Sequence, residues 1–182
     1  MGLSGPRVVG LACSSRHGFS KAPCERVVLV AGLGLAGDAH AGETVRHLSR
    51  VRRDPSQPNL RQVHLIHSEL LDELADKGFA IAPGDLGENI LTRGIDLLGL
   101  PADTVLYIGE SVVRVTGLRN PCAQIEAFRP GLLAHMVEKR AYGSLARKCG
   151  VMGVVERGGE ITVRAAIGVS LPSAPHCWLE PV

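Results

Sequence analysis

Cys122 closes the run Arg119-Asn-Pro-Cys122, with Arg119 three residues before it and Arg129 seven after. Nearby cations favour the thiolate, the form of cysteine that attacks electrophiles and binds soft metals. Two readings of Cys122 follow: a reactive thiolate, or a small buried hydrophobe of the kind most free cysteines are. Cys13 falls within an apolar stretch and Cys149 leads into one, so both read as structural; Cys177 reads as exposed and Cys24 is undecided. Five cysteines, an odd number without any CxxC pair, exclude a disulfide framework and a four-thiolate zinc site.

Two glycine-punctuated segments form a second group of candidates. Gly37-Asp-Ala-His40 and Gly84-Asp-Leu-Gly-Glu-Asn89 set carboxylates and amides among residues that tolerate unusual backbone angles. Such loops can bring backbone N–H groups close to an anion, and carboxylates such as Asp38 and Glu88 can accept from ligand N–H donors. The alternative is turn chemistry alone, since Asp and Asn beside Gly make turns. Histidines 40, 47, 64 and 67 lack the fixed spacing of a zinc motif, and of these only His40, inside a glycine loop, stands as a site candidate.

These residues need a framework, and the pattern predicts a β-rich one. Strands are expected over 7–13, 26–31 and 62–66, with a short strand around 90 and a hairpin over 105–108 and 112–116. A last hairpin is expected over 151–156 and 160–167, turning at Gly158-Gly159. Ser68 is placed to cap a helix running to Lys77, with Leu70, Leu71 and Leu74 on one face and Gly78 ending it. A second helix is expected over 132–141 from the spacing of Leu133, Met136, Val137 and Arg140. The segment 46–58, Arg-rich with Pro55 and Pro58, reads as a surface loop. No G-x-G-x-x-G links a strand to a helix, which disfavours a doubly wound nucleotide fold. Short strands at antiparallel spacing instead predict a mainly β fold, a small closed or nearly closed β-barrel with a few covering helices. Residues 1–169 are expected to form this single domain, followed by a proline-containing tail over 170–182.

The chain has 182 residues, 45% of them hydrophobic, enough for one domain burying roughly 70% of its extended surface. No apolar run approaches the ~18 residues of a membrane helix, and no secretory signal pattern opens the chain, so a soluble cytoplasmic protein is expected. Net charge is only +2, yet nine acidic residues stand against two basic ones between Glu69 and Glu110, a net −7 that leaves +9 on the remainder. That asymmetry suits an anionic small molecule better than nucleic acid, although an ordinary mosaic of solvated faces would also produce it. Aromatics, at 3%, offer little for stacking on bases.

Five segments, in order, resemble the MOSC domain, the C-terminal domain of molybdenum cofactor sulfurases that also occurs alone in bacteria. They are Gly34-Leu-Ala-Gly-Asp-Ala-His-Ala-Gly42, Arg61-Gln-Val-His-Leu-Ile66, Pro83-Gly-Asp-Leu-Gly-Glu-Asn-Ile90, Thr116-Gly-Leu-Arg-Asn-Pro-Cys122 and Gly150-Val-Met-Gly-Val-Val155. The resemblance implies a barrel related to that of pyruvate kinase and one functional cysteine, falling on Cys122. Carried over residue by residue, it places Asp38, His40, Glu88, Asn89, Arg119 and Asn120 in one pocket with Cys122. The sequence departs from the family where relatives often place Gly-Asp and this chain reads Arg164-Ala-Ala-Ile167.

Three functions are then expected. In the first, Cys122 ligates the metal of the molybdenum cofactor, whose phosphate lies against Arg46, Arg50 or Arg119, and a separate reductase supplies electrons to reduce N-hydroxylated substrates. In the second, Cys122 carries persulfide sulfur received from a pyridoxal-phosphate cysteine desulfurase. In the third, the barrel only binds a partner and Cys122 is structural.

Overall fold

The computed structural model describes residues 5–139 and 145–182. Arg7-Val-Val-Gly-Leu-Ala-Cys13 is short and β-branched, and it forms strand β1 (Arg7–Cys13) as expected. After it come β2 (Ala22–Pro23), β3 (Arg26–Val30), β4 (Gly34–Leu35), the single turn α1 (Leu48–Val51), β5 (Val63–His67), α2 (Ser68–Asp76) and β6 (Ile90–Arg93). The second half holds β7 (Val105–Ile108), β8 (Ser111–Leu118), α3 (Ala123–Phe128), β9 (Val137–Lys139), β10 (Leu145–Arg147), β11 (Val151–Arg157), β12 (Gly159–Thr162) and β13 (Ile167–Ser170).

Eight strands make one curled sheet in the order β13-β7-β8-β11-β5-β6-β1-β2, and β12-β3-β4 form a smaller sheet. The protein is thus mainly β with few helices, but the large sheet is a half-barrel and does not close. Between the first residues of β1 and the segment leading into β13 there is a single antiparallel bridge, Arg7 to Ala166. The small sheet instead covers the concave side: Val27, Leu29, Leu35 and Ile161 share one apolar core with Val8, Leu11, Leu65, Ile90, Leu106, Val113 and Val155. A second core, on the opposite face, joins Ile66 of β5 and Leu91 of β6 to Leu70 and Leu74 of α2 and Ile125 of α3. β5 therefore buries Leu65 on one side and Ile66 on the other. That two-sided burial matches its place in the only parallel pair of named strands among the described residues, β5 with β6.

Three of these expectations need correction. Ser68 is the first residue of α2 and not its cap; His67 stands at the cap position in extended conformation, without a side-chain capping bond. The expected helix over 132–141 is a 3₁₀ turn, Leu132–His135, after which the chain extends into β9, paired with β10. Its final positions, Arg140 and residue 141, lie outside the described residues. β11 and β12 are not a hairpin: β11 pairs with β5 and β8, while β12 crosses to β3. Gly158 allows that departure, since a Cβ there would stand 2.6 Å from the Leu29 carbonyl oxygen. The helix α3, directly after Cys122, was not expected. No helix among the described residues is long and apolar enough to cross a membrane.

The 170–182 segment is draped and not frayed. Leu179 joins the main core, and backbone bonds tie Leu118 to Glu180 and Val182. Arg164, in the segment between β12 and β13, holds a left-handed φ of 79°. A side chain in that conformation costs about 1 kcal/mol or more, which glycine avoids.

Candidate functional site

A cleft of about 620 Å³ opens where the start of β5, the end of β8 and the Arg-rich 44–58 segment converge. That is within the size range of small-molecule and cofactor sites. Cys122 stands on its wall. Pro121 ends the extended run from β8, and Cys122 takes the position immediately before α3 with extended angles, φ −138° and ψ 165°. The residue is half-buried, its Sγ 3.7 Å from the Gln124 side-chain oxygen. The reading of Cys122 as a cysteine sealed in apolar packing does not apply. That description fits Cys149 instead, which is fully buried and whose thiol burial pushes up to about 12.

Positive charge dominates the cleft. Arg46, Arg50, Arg53, Arg61 and Arg119 all line it, and Asp54 is the one Asp or Glu among the described lining residues. Asp54 is occupied by the backbone and hydroxyl of Ser56. Among the described residues, no carboxylate lies within ion-pair distance of any of these five guanidinium groups. Arg61 is held down to about 10 by burial and by the charges of Arg50 and Arg119. Arg119 donates to the Leu86 carbonyl and lies 5.8 Å from the centre of the Phe19 ring, which fixes it at the cleft floor. Arg129, expected near the thiol, is not among the lining residues; it packs over Phe128 at the far end of α3.

Asp38 has a different place from the one the resemblance implied. It does not line the cleft but sits just behind it, accepting from Lys21 Nζ at 2.8 Å, Asn89 Nδ2 at 3.0 Å, the His40 backbone N–H at 2.9 Å and His40 Nδ1 at 3.2 Å. Burial pushes its carboxyl up, but the His40 bonds and the Lys21 charge outweigh this and hold it well below the usual carboxylate range. One carboxylate thus orients three residues, Lys21, His40 and Asn89, that do line the cleft. Asn89 also accepts from the His64 backbone N–H at 3.2 Å, which ties the second glycine segment to β5.

Glu88 lies behind the wall as well. One of its oxygens accepts from the Gly84 N–H at 2.6 Å and the other has no hydrogen-bond partner, while burial raises its carboxyl. Nor does this glycine segment cradle an anion. Gly84 and Gly87 hold φ of 89° and 79° because backbone presses on them: a Cβ would stand 2.3 Å from the carbonyl oxygens of Lys21 and Phe19, respectively. The glycines dock the 83–87 segment against the 19–21 segment, and so carry Lys21 to the cleft.

Of the candidate residues, the structure brings Cys122, His40, Asn89, Arg119 and Asn120 together with Arg46 and Arg50, and leaves Asp38 and Glu88 one layer back. Asn120 accepts from Arg147 Nε at 2.9 Å. Sequence reasoning missed Lys21, Arg53, Arg61 and His64 as lining residues. Arg61 and His64 lie inside one of the quoted segments, whereas Lys21, in a polar stretch without pattern, carried no signal. Among the described residues, no three His, Cys, Asp or Glu side chains gather as a metal-ligand set.

The cleft histidines make stability depend on pH. Burial and then Arg119 hold His64 well below its usual value; its Nε2 faces the Cys149 carbonyl at 2.7 Å, which can only accept, so Nε2 carries the hydrogen of the neutral ring. Burial and then Arg61 lower His47 to about 4. Both rings take up protons near pH 6.5 when unfolded but resist them when folded, so the unfolded state binds more protons and stability falls with falling pH. The thermal midpoint is expected to drop between pH 7 and pH 5, above the carboxylate range, with a shallower slope for His64→Gln. A flat midpoint across that window would contradict the buried neutral ring.

The sequence matches the MOSC domain over residues 38–167. Solved structures share the fold: the YuaD protein of Bacillus subtilis, 24% identical, with a TM-score of 0.73 covering 92% of this chain and 97% of that one. YiiM of Geobacillus stearothermophilus, 15% identical, has a TM-score of 0.68 over 95% of this chain and 79% of its own. YiiM of Escherichia coli, 18% identical, has a TM-score of 0.62 over 94% and 73%, respectively. No functionally curated protein matches the sequence.

Proposed function

The chain belongs to the MOSC domain family, and from that premise we propose that it binds the molybdenum cofactor through the Cys122 thiolate and reduces N-hydroxylated substrates with electrons from a separate reductase. One observation carries the reading: a half-buried cysteine shares a cleft with five arginines, none of them neutralised by a carboxylate among the described residues. Five unneutralised guanidinium groups repel one another, and an anionic ligand relieves that cost. Guanidinium is also the side chain best shaped to grip a phosphate through paired N–H donors.

The residues present fit the cofactor. Cys122 offers the soft sulfur that a molybdenum centre takes. Arg46, Arg50, Arg61 and Arg119 would hold the phosphate, while His40, Asn89 and Asn120 offer donors and acceptors to the pterin. Asp38 and Glu88 serve from behind, the first as an orienting group and the second within its own loop. When bound, the cofactor would supply two-electron chemistry at the metal. Around it, Arg119 and Arg61 would keep the region beside Cys122 positive and favour anionic ligands.

The test is the metal content of the full chain purified from a host that makes the cofactor. We expect molybdenum near one atom per chain, and only trace molybdenum from a host unable to make the cofactor. Equal trace levels from both hosts would sink the proposal. The partial exposure of Cys122 supports a second reading, a persulfide carrier supplied by a pyridoxal-phosphate cysteine desulfurase. Sulfur released from Cys122 by cyanide, in protein lacking molybdenum, would favour that reading.

A further inference from the structure

Lys21 lines the cleft yet is buried, its side chain only 4% exposed. An ammonium carries three N–H donors, and buried donors are nearly always satisfied. Lys21 Nζ gives one to Asp38 Oδ2 at 2.8 Å and has no second acceptor among the described residues. Lys21 lines the cleft, so an acceptor for the other two donors can come from there. A purely structural role explains this poorly, because a buried ion pair adds little net stability over well-packed apolar residues. A buried donor group left incomplete at the wall of a cleft points to a ligand oxygen.

Resting on the reading that the cleft reduces N–O bonds, we propose that Lys21 is a catalytic acid: its Nζ hydrogen-bonds the substrate's N–O oxygen and protonates it as that bond breaks. For a hydroxylamine R–NH–OH, two electrons from a reduced flavin or iron–sulfur protein enter as the N–O bond breaks. The Lys21 proton joins the departing hydroxide to give water. A solvent proton joins the nitrogen to give R–NH₂, and a further solvent proton restores the ammonium.

The surroundings suit a group that must both hold and release a proton. Burial lowers the affinity of Lys21 for its proton, and Arg119, at the end of β8, adds to that. Asp38, on the turn after β4, opposes the shift, as does Cys13 of β1. His64 of β5 is buried nearby and neutral. The balance moves Lys21 down from the usual lysine range toward the working pH, where acid catalysis is most effective.

The test compares wild type, Lys21→Arg and Lys21→Met, each purified from the cofactor-making host, with phenylhydroxylamine as substrate and reduced methyl viologen as electron source. Lys21→Arg keeps the charge and the Asp38 pair but yields its proton far less readily, so it guards against a Lys21→Met chain that fails to fold. We expect Lys21→Arg to keep its molybdenum, keep KM within about 3-fold and lose about 100- to 1,000-fold in kcat. Wild-type kcat should fall at alkaline pH, and that fall should be absent from the variant. A readout independent of turnover is acetylation by acetic anhydride across pH, where Lys21 should titrate below the ordinary lysine range. An unchanged kcat in Lys21→Arg, loss of its molybdenum, or titration of Lys21 within the ordinary lysine range would each overturn the assignment. Wild type that lacks molybdenum or does not reduce the substrate would instead remove the underlying reading, and the Lys21 proposal with it.

Discussion

Cys122→Ser protein, made where the cofactor is available, is expected to retain at least about 10-fold less molybdenum than wild type while folding normally. A serine hydroxyl is a hard, weakly acidic donor at neutral pH and does not replace a soft thiolate on this metal. Changes in groups that merely support a metal ligand already cost roughly 10- to 100-fold in affinity. Losing the ligand itself should cost no less. The fold has little stake in the sulfur: Cys122 is half-buried on a loop, and its one side-chain contact of note is the 3.7 Å approach to Gln124. A substitution there should move stability by about 0.5 kcal/mol or less. Cys177→Ser, in the exposed C-terminal segment, is the matched control and should keep its metal. Equal molybdenum in the two variants would show that the metal is held without Cys122.

Asp38→Ala is expected to cost about 3–5 kcal/mol of folding stability, the usual penalty for removing one partner of a buried ion pair. The Lys21 and Asp38 side chains are 4% and 1% exposed, so water cannot take the place of the lost carboxylate. The Asn89 amide loses its Asp38 bond at the same stroke, as do the backbone N–H and ring of His40. The pH dependence has a definite sign. The folded-state pKa of Asp38 is depressed, so its contribution is present above about pH 4, where the unfolded carboxyl ionises, and is lost as pH falls below that. The denaturant midpoint of wild type and Asp38→Ala should therefore converge in strong acid. Asp38→Ala combined with Lys21→Met should be more stable than Asp38→Ala alone, because it leaves no orphaned charge. A single variant within 1 kcal/mol of wild type at pH 7 would mean that water or relaxation reaches the site.

Local pattern exposed most of the strands and the helix α2, because one buried face writes itself into the sequence at period 2 or 3.6. It failed where tertiary pairing overrode local preference. Gly158-Gly159 looked like a hairpin turn, yet β12 leaves its neighbour to cover the concave face beside Val27 and Leu29. Leu133, Met136 and Val137 have helical spacing, but Val137 is claimed by the ladder with β10. For the site, Cys122, Arg119 and His40 were legible from their neighbours. Lys21 was not, because its meaning comes from Asp38 and the glycines at 84 and 87, which are distant in sequence. The roles first assigned to Asp38 and Glu88 needed depth, which composition and spacing do not contain: both are among the most buried carboxylates in the chain and stand one layer behind the wall.

The parallel pair β5–β6 has a consequence for assembly order. Antiparallel neighbours can be brought into register by a tight turn, whereas parallel neighbours need a crossover of a dozen or more residues. Here the crossover is α2 and the 77–89 segment, so no turn dictates that Leu65 sits opposite Ile90. The alignment must instead come from α2 docking through Leu70 and Leu74 and from Asn89 reaching the His64 backbone. The asparagine that faces the cleft is thus also a gauge for threading the large sheet, and errors in that alignment would surface first as a misassembled cleft.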